Sequence, residues 1–111
     1  MAKFVKAEVV VIPFPFSDLS GSKRRPALVL ADLPGDDIIL CQITSQQSPK
    51  DPFAIPLVST DFISGSLPVA SNIRPNRIFT ADKNLIIKTA GRVSDAIYTD
   101  VYQAIIGLLK P

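Results

Sequence analysis

Histidine is absent from the 111-residue sequence, so the residue that most often serves as acid or base near neutral pH, and most often binds a metal, is missing. Cysteine occurs once, at Cys41, which excludes an internal disulfide and a thiolate metal cluster. Its place in an apolar strand pattern reads as core packing. No apolar run approaches the roughly 20 residues that a bilayer-spanning helix needs. The amino-terminal stretch MAKFVKAEVVVIPFPF has a charged start and an apolar run, yet Glu8 and two prolines interrupt it and no small-residue cleavage site follows. It does not read as a signal peptide, and together these absences lead us to expect a soluble, cytoplasmic protein with no membrane partner. Charge is also in short supply: 12 Lys and Arg against 10 Asp and Glu leave a net charge of +2. That value permits nucleic acid as a partner but falls short of a strongly basic footprint. Internal repeats and low-complexity segments are missing as well.

What is present is a chain that is 47% hydrophobic and 20% charged, with ten prolines. Such a composition favours many short strands over long helices. The length suits a single domain over residues 1–111, able to bury about two-thirds of its unfolded surface. We expect strands over EVVVI (8–12), Ala27–Ala31 and IILCQI (38–43), the last two joined by a turn at Pro34-Gly35. A short strand is expected at Phe53–Val58, confined to an edge by Pro52 and Pro56, followed by an irregular connection over Ser59–Pro68. Val69–Thr80 reads as a strand bulged around Pro75, and LIIKTAGRV as another, with Gly91 marking a bend or a close backbone approach. Ser94 caps a helix on which Ile97, Val101, Ile105 and Leu108 recur at helical spacing, with Tyr98 and Tyr102 widening the face toward a core or a dimer contact. The fold class is therefore mostly β (α+β), with one helix at the carboxyl end.

The stretch PFPFSDLSGSKRRPALVL, Pro13–Leu30, carries the most chemistry. Its prolines end the first strand, its Ser, Asp and Gly residues make a loop, and Lys23, Arg24 and Arg25 then crowd three cations ahead of Pro26. Pro26 holds Arg25 extended at the root of the next strand, where a guanidinium offers a planar fork of donors to a phosphate. The same three cations also suit a solvated loop. Two further segments stand out: LCQITSQ at 40–46, whose Thr44 and Ser45 follow an apolar strand, and SNIRPNRIFTADKNLI at 71–86. Thr44 there is either a strand-end hydroxyl satisfying a backbone group or a site residue, and Arg74 and Arg77 are either surface cations or ligand contacts.

In this order and spacing, the three segments resemble the PemK/MazF-like toxins of type II toxin–antitoxin systems over nearly the whole chain. The chain departs from that pattern at Ala7-Glu8, where members usually have Gly-Asp, and in the first loop, which lacks the Glu that some members carry. The resemblance implies a small SH3-like antiparallel β-barrel with a C-terminal α-helix, acting as a homodimer. It implies an endoribonuclease of the mRNA interferase type, sequence-selective and independent of metal or other cofactors, in which the 2′-hydroxyl of single-stranded RNA attacks the adjacent phosphorus. Arg25 and Thr44 match the catalytic arginine and threonine. Ser22, Lys23, Arg24, Ser45, Gln46, Arg74 and Arg77 become RNA-binding candidates. A cognate antitoxin is an implied partner, and operator DNA is implied only for the toxin–antitoxin complex. The alternatives are a non-catalytic toxin that binds a protein such as gyrase through the same barrel, and a plain single-stranded RNA-binding module using Phe14 and Phe16.

Overall fold

The computed structural model describes residues 3–15, 20–45 and 51–111, which form seven antiparallel strands and a terminal helix. The strands are β1 (Glu8–Pro15), β2 (Ser22–Asp32), β3 (Asp37–Thr44), β4 (Ile55–Leu57), β5 (Phe62–Gly65), β6 (Ser71–Asp82) and β7 (Lys88–Val93), and the helix is α1 (Asp95–Leu109). They make one sheet in the order β4-β6-β3-β2-β1-β7-β5, curled into a half-barrel. This is the mostly β architecture with a C-terminal helix that the sequence led us to expect.

The first correction concerns β1, which runs through Pro13 and Pro15 instead of stopping at Ile12. The Val11 carbonyl accepts a hydrogen bond from the Ile87 N–H on the β7 side, at 2.8 Å, so alternate residues 13 and 15 also turn their backbone polar groups away from β2. The β1–β7 ladder ends at Val11, so the donors that proline lacks fall where no strand needs them. β1 therefore continues pairing with β2 as far as Pro15↔Ser22. A second correction follows: Ser22, Lys23, Arg24 and Arg25 lie in a strand, not at the end of a loop. Pro26 plays a related part on the other side of β2, whose ladder with β3 begins only at Ala27↔Gln42.

The β2–β3 turn has Gly35 at φ +85°, a conformation that a side chain opposes. Lys83 ties this turn to the end of β6: its ammonium lies 2.8 Å from Asp32 Oδ1 and donates to the carbonyls of Leu33 and Gly35 at 2.6 and 2.8 Å. The bulge expected at Pro75 is present and large. Cys41 pairs with Ile78 and Ile43 with Ile73, so the four residues Arg74–Arg77 face the single residue Gln42.

Elsewhere the strands differ in extent from the sequence reading. β4 is an edge strand shorter than expected, because the Asp51 carboxylate accepts the Phe53 N–H at 3.0 Å and holds Phe53 in a turn. β5 was not expected at all; it occupies part of the segment read as irregular and pairs with β7 up to Gly65↔Gly91. β7 starts later than LIIKTAGRV suggested, because Lys83–Leu85 is a 3-10 turn in which the Asp82 side chain accepts the Asn84 N–H at 2.8 Å.

The core divides between the two faces of the sheet. On one face Val9, Leu28, Cys41, Ile43, Leu57, Ile73 and Val93 pack against Ile97, Tyr98, Val101 and Ile105 of α1. The helix starts where Ser94 Oγ accepts the Ile97 N–H at 3.3 Å, and the Tyr98 hydroxyl pins it to β2 by donating to the Leu30 carbonyl at 2.8 Å. Each fully buried aliphatic side chain stabilises this face by about 1.5–3 kcal/mol. Tyr102, in contrast to its neighbour, is 51% exposed and stands off the core. On the opposite face Val10, Ile12, Ala27, Val29, Ile38 and Leu40 form a second cluster, partly covered by Phe14 and Phe79 in an edge-to-face contact at 5.1 Å. Among the described residues no helix is long and apolar enough to cross a membrane.

Candidate functional site

Where β2 runs past the end of β3, a cavity of about 480 Å³ opens beside it. Its walls come from three parts of the chain: Lys23–Pro26 of β2, the segment Ser66–Val69, and Lys88–Ala90 of β7, with Val11, Ile43, Ser45 and Ser71 between them. The Ser71 hydroxyl donates to the Val69 carbonyl at 3.0 Å and so fixes one wall. The sequence reading singled out Lys23, Arg24, Arg25 and Ser45, and the fold brings these four together in the lining. Among the described residues no acidic side chain lines the cavity, and no carboxylate pairs with Lys23, Arg24, Arg25 or Lys88. Four unneutralised cations around partly apolar walls attract an anion, and the low-dielectric walls strengthen that attraction.

The strand register sorts these cations by face. Val11↔Pro26 and Pro13↔Arg24 share the cavity face, whereas Ile12↔Arg25 and Phe14↔Lys23 share the other. Arg25 and Lys23 nevertheless contribute to the lining, because this part of β2 is a free edge on the side that β3 has left. Extending the register Ala27↔Gln42 by two residues places Arg25 opposite Thr44, on the same face. Thr44 is the last residue of β3 and only 6% exposed, between Ile43 and Ser45, which do line the cavity. Arg25 is half-buried, whereas Lys23 and Arg24 are exposed.

The remaining candidates lie apart. Ser22 is exposed on β2 and pairs with Pro15, outside the lining. Arg77 lines a second cavity of about 470 Å³ with Gln42, Asn76, Ile78 and Phe79, built by the bulge in β6. Arg74 is engaged within the fold: its Nε lies 2.7 Å from Asp51 Oδ2, and its carbonyl accepts from Cys41 Sγ at 2.9 Å. The Phe53 N–H and the Arg74 guanidinium hold the Asp51 carboxyl below its usual range, while burial pushes the Cys41 thiol up to about 12. Cys41 is thus an unreactive core residue, as expected. Gln46 and Phe16 lie outside the described residues. Lys88, Thr89 and Ser66 were not singled out from sequence, since nothing in LIIKTAGRV or ISGSLP marks them as neighbours of the KRRP cluster, and Ser71 was not picked out of the SNIRPNR segment that it opens.

A family profile described as PemK-like, MazF-like toxin of type II toxin–antitoxin system matches residues 6–109. No match was found among curated proteins. Several solved structures share the fold. An endoribonuclease in complex with its cognate antitoxin, from a mycobacterial species, superposes with a TM-score of 0.77 at 15% identity over 98% of each chain. The MazE–MazF structure from Deinococcus radiodurans gives 0.74 at 21% identity over 94% of each chain. Mycobacterium tuberculosis toxin MazF-mt6 gives 0.67 at 13% identity, covering 90% of this chain and 95% of that one. At these identities the likeness to the solved structures is one of fold.

Proposed function

Because this chain belongs to the PemK-like, MazF-like toxins of type II toxin–antitoxin systems, we propose that it is a metal-independent, sequence-selective endoribonuclease that cuts single-stranded RNA by attack of the substrate's own 2′-hydroxyl. The observation that carries this reading is the cation cluster on the free edge of β2, without a carboxylate partner among the described residues, where the extended β2–β3 register sets Arg25 opposite Thr44. The scissile phosphate belongs at this edge. Arg25 offers two charge-assisted donors to the phosphoryl oxygens as negative charge grows on them in the pentacoordinate transition state. A guanidinium is a fork of donors carrying a positive charge, so its part here is electrostatic. Thr44 is too weak an acid or base to move the proton, which passes from the 2′-hydroxyl to solvent while the 5′-oxygen takes one up from solvent, and its hydroxyl instead holds the attacking 2′-oxygen or a phosphate oxygen in line. Lys23 and Arg24 attract the neighbouring phosphates, and Ser45 and Gln46 offer donors and acceptors to unstacked base edges. Arg77, with Gln42 and Asn76 beside it, extends the polar surface beyond the site.

The reading includes a homodimer, an antitoxin whose acidic and apolar segment orders over the cations, and operator DNA bound only by that complex. Incubating the protein with a long RNA tests the activity. Defined fragments support the nuclease; retention of intact RNA would leave a binding module, and inertness toward RNA would point to a protein target.

A further inference from the structure

Lys88 stands across the cavity from the KRRP cluster, and the proposed reaction gives it no part of its own. Its register explains its position. Val11 pairs with Lys88 on one side and with Pro26 on the other, so the three residues form one row on the cavity face. Two strand spacings separate Lys88 from Pro26, about 10 Å between backbones, and Arg24 stands about 7 Å further along β2. Lys88 and Arg24 therefore project from the two sides of one cleft, both exposed, and neither has a carboxylate partner among the described residues. The floor between them is apolar, formed by Val11 and Pro26, and Ile43, Leu67 and Val69 add apolar surface to the same lining. Like charges facing one another across such a floor repel, and an anion between them removes that repulsion.

We infer that Lys88 is a phosphate-binding residue of the RNA site, gripping the strand from the side opposite Arg24. This rests on the nuclease reading, and it adds a contact from β7 to a site otherwise drawn from β2 and β3. A second phosphate contact on the far wall fixes the direction in which the strand crosses the free edge beside Arg25. It carries no sequence information, because a Lys–phosphate contact is the same at every base.

The test is binding of an RNA oligonucleotide made non-cleavable by a 2′-deoxy sugar, titrated at several salt concentrations. Lys88→Ala should weaken binding about fivefold at low salt and lower the slope of log affinity against log salt by about 0.7, the share of one phosphate on a single strand. Lys88→Arg should restore both, and Lys110→Ala, at the end of α1, should change neither. In cleavage assays on unmodified RNA, Lys88→Ala should raise KM with kcat nearly unchanged. Parental affinity and slope in Lys88→Ala, while Arg24→Ala still lowers them, would overturn this inference and leave the nuclease reading standing. Unchanged RNA binding with weakened binding of an acidic antitoxin segment would overturn it in favour of a protein contact. Failure of the parent to bind RNA at all would overturn the nuclease reading and this inference with it.

Discussion

Arg25 owes its place to its neighbour. Pro26 cannot continue the ladder with β3, so β2 becomes a free edge at the residue that carries the guanidinium, and the charge is held at the root of a rigid strand. Arg25→Ala should reduce cleavage by at least about 100-fold with the folded spectrum unchanged, the scale of losing one transition-state donor. Single-turnover kinetics on a defined RNA will measure this, and a larger loss in Arg24→Ala would mean that the other arginine carries the role. Arg25 stood out in the sequence because the signal is local: three cations and a proline in four residues. Arg74 read either as a surface cation or as an RNA contact, yet its guanidinium is tied to Asp51, a partner 23 residues away that no local pattern reveals. Lys88 was invisible for the converse reason, since its neighbours come from other strands. Ala7 is a further case. It is buried with φ at +77°, at the position where this family usually has Gly, and its backbone bonds Val29 and Val93 at 3.1 and 2.9 Å. Holding a Cβ in the left-handed region costs about 1–2 kcal/mol. Replacing Ala7 by Gly removes that cost but loosens the unfolded chain, so Ala7→Gly should stabilise by about 0.5–1 kcal/mol in denaturant melts.

At the scale of elements, the hairpin, the bulge at Pro75 and the capped helix were readable because turn chemistry and helical spacing are written in consecutive residues. The extent of β1 was not, because whether a proline ends a strand depends on which side its missing donor faces. β5 escaped notice because it is four residues long, and its pairing depends on a close approach of two glycines. A Cβ on Gly91 would stand 2.4 Å from the Ser64 carbonyl oxygen, and one on Gly65 would stand 2.1 Å from that of Ala90. Gly91→Ala should therefore push β5 off β7 and destabilise by about 1–3 kcal/mol, with amide exchange in Phe62–Gly65 accelerating before that of the core strands. The turn before β4 and the bulge of β6 are joined by Asp51 and Arg74, and this joint is sensitive to acid. A carboxyl whose folded pKa is depressed contributes stability that is fully present above its unfolded pKa and is lost as pH falls through the folded value. Parental stability should thus fall more steeply than that of Asp51→Asn as pH drops below about 4, the ordinary Asp range. Parallel curves from denaturant melts would remove Asp51 from the account.

For the whole molecule, the half-barrel presents an open cation-lined cleft and a free strand edge, and the proposed homodimer would complete the surface that one protomer begins. Sedimentation at micromolar concentration should show a dimer, and a monomer would contradict that arrangement. Growth should stop when the chain is expressed alone in bacteria and resume when an adjacently encoded small acidic protein is expressed with it. Harmless expression of folded protein would count against the toxin reading. The central claim is that the RNA supplies its own nucleophile and the protein supplies electrostatics and alignment. The most direct measurement is mass spectrometry of one cleaved oligonucleotide, beside a copy with deoxyribose on the 5′ side of the scissile phosphate. Expulsion of the 5′-oxygen by the neighbouring 2′-oxygen requires a 2′,3′-cyclic phosphate and a 5′-hydroxyl, and no cutting of the deoxy strand at that bond. A 5′-phosphate product, or cleavage of the deoxy strand at the same bond, would contradict the account and the roles given to Arg25 and Thr44.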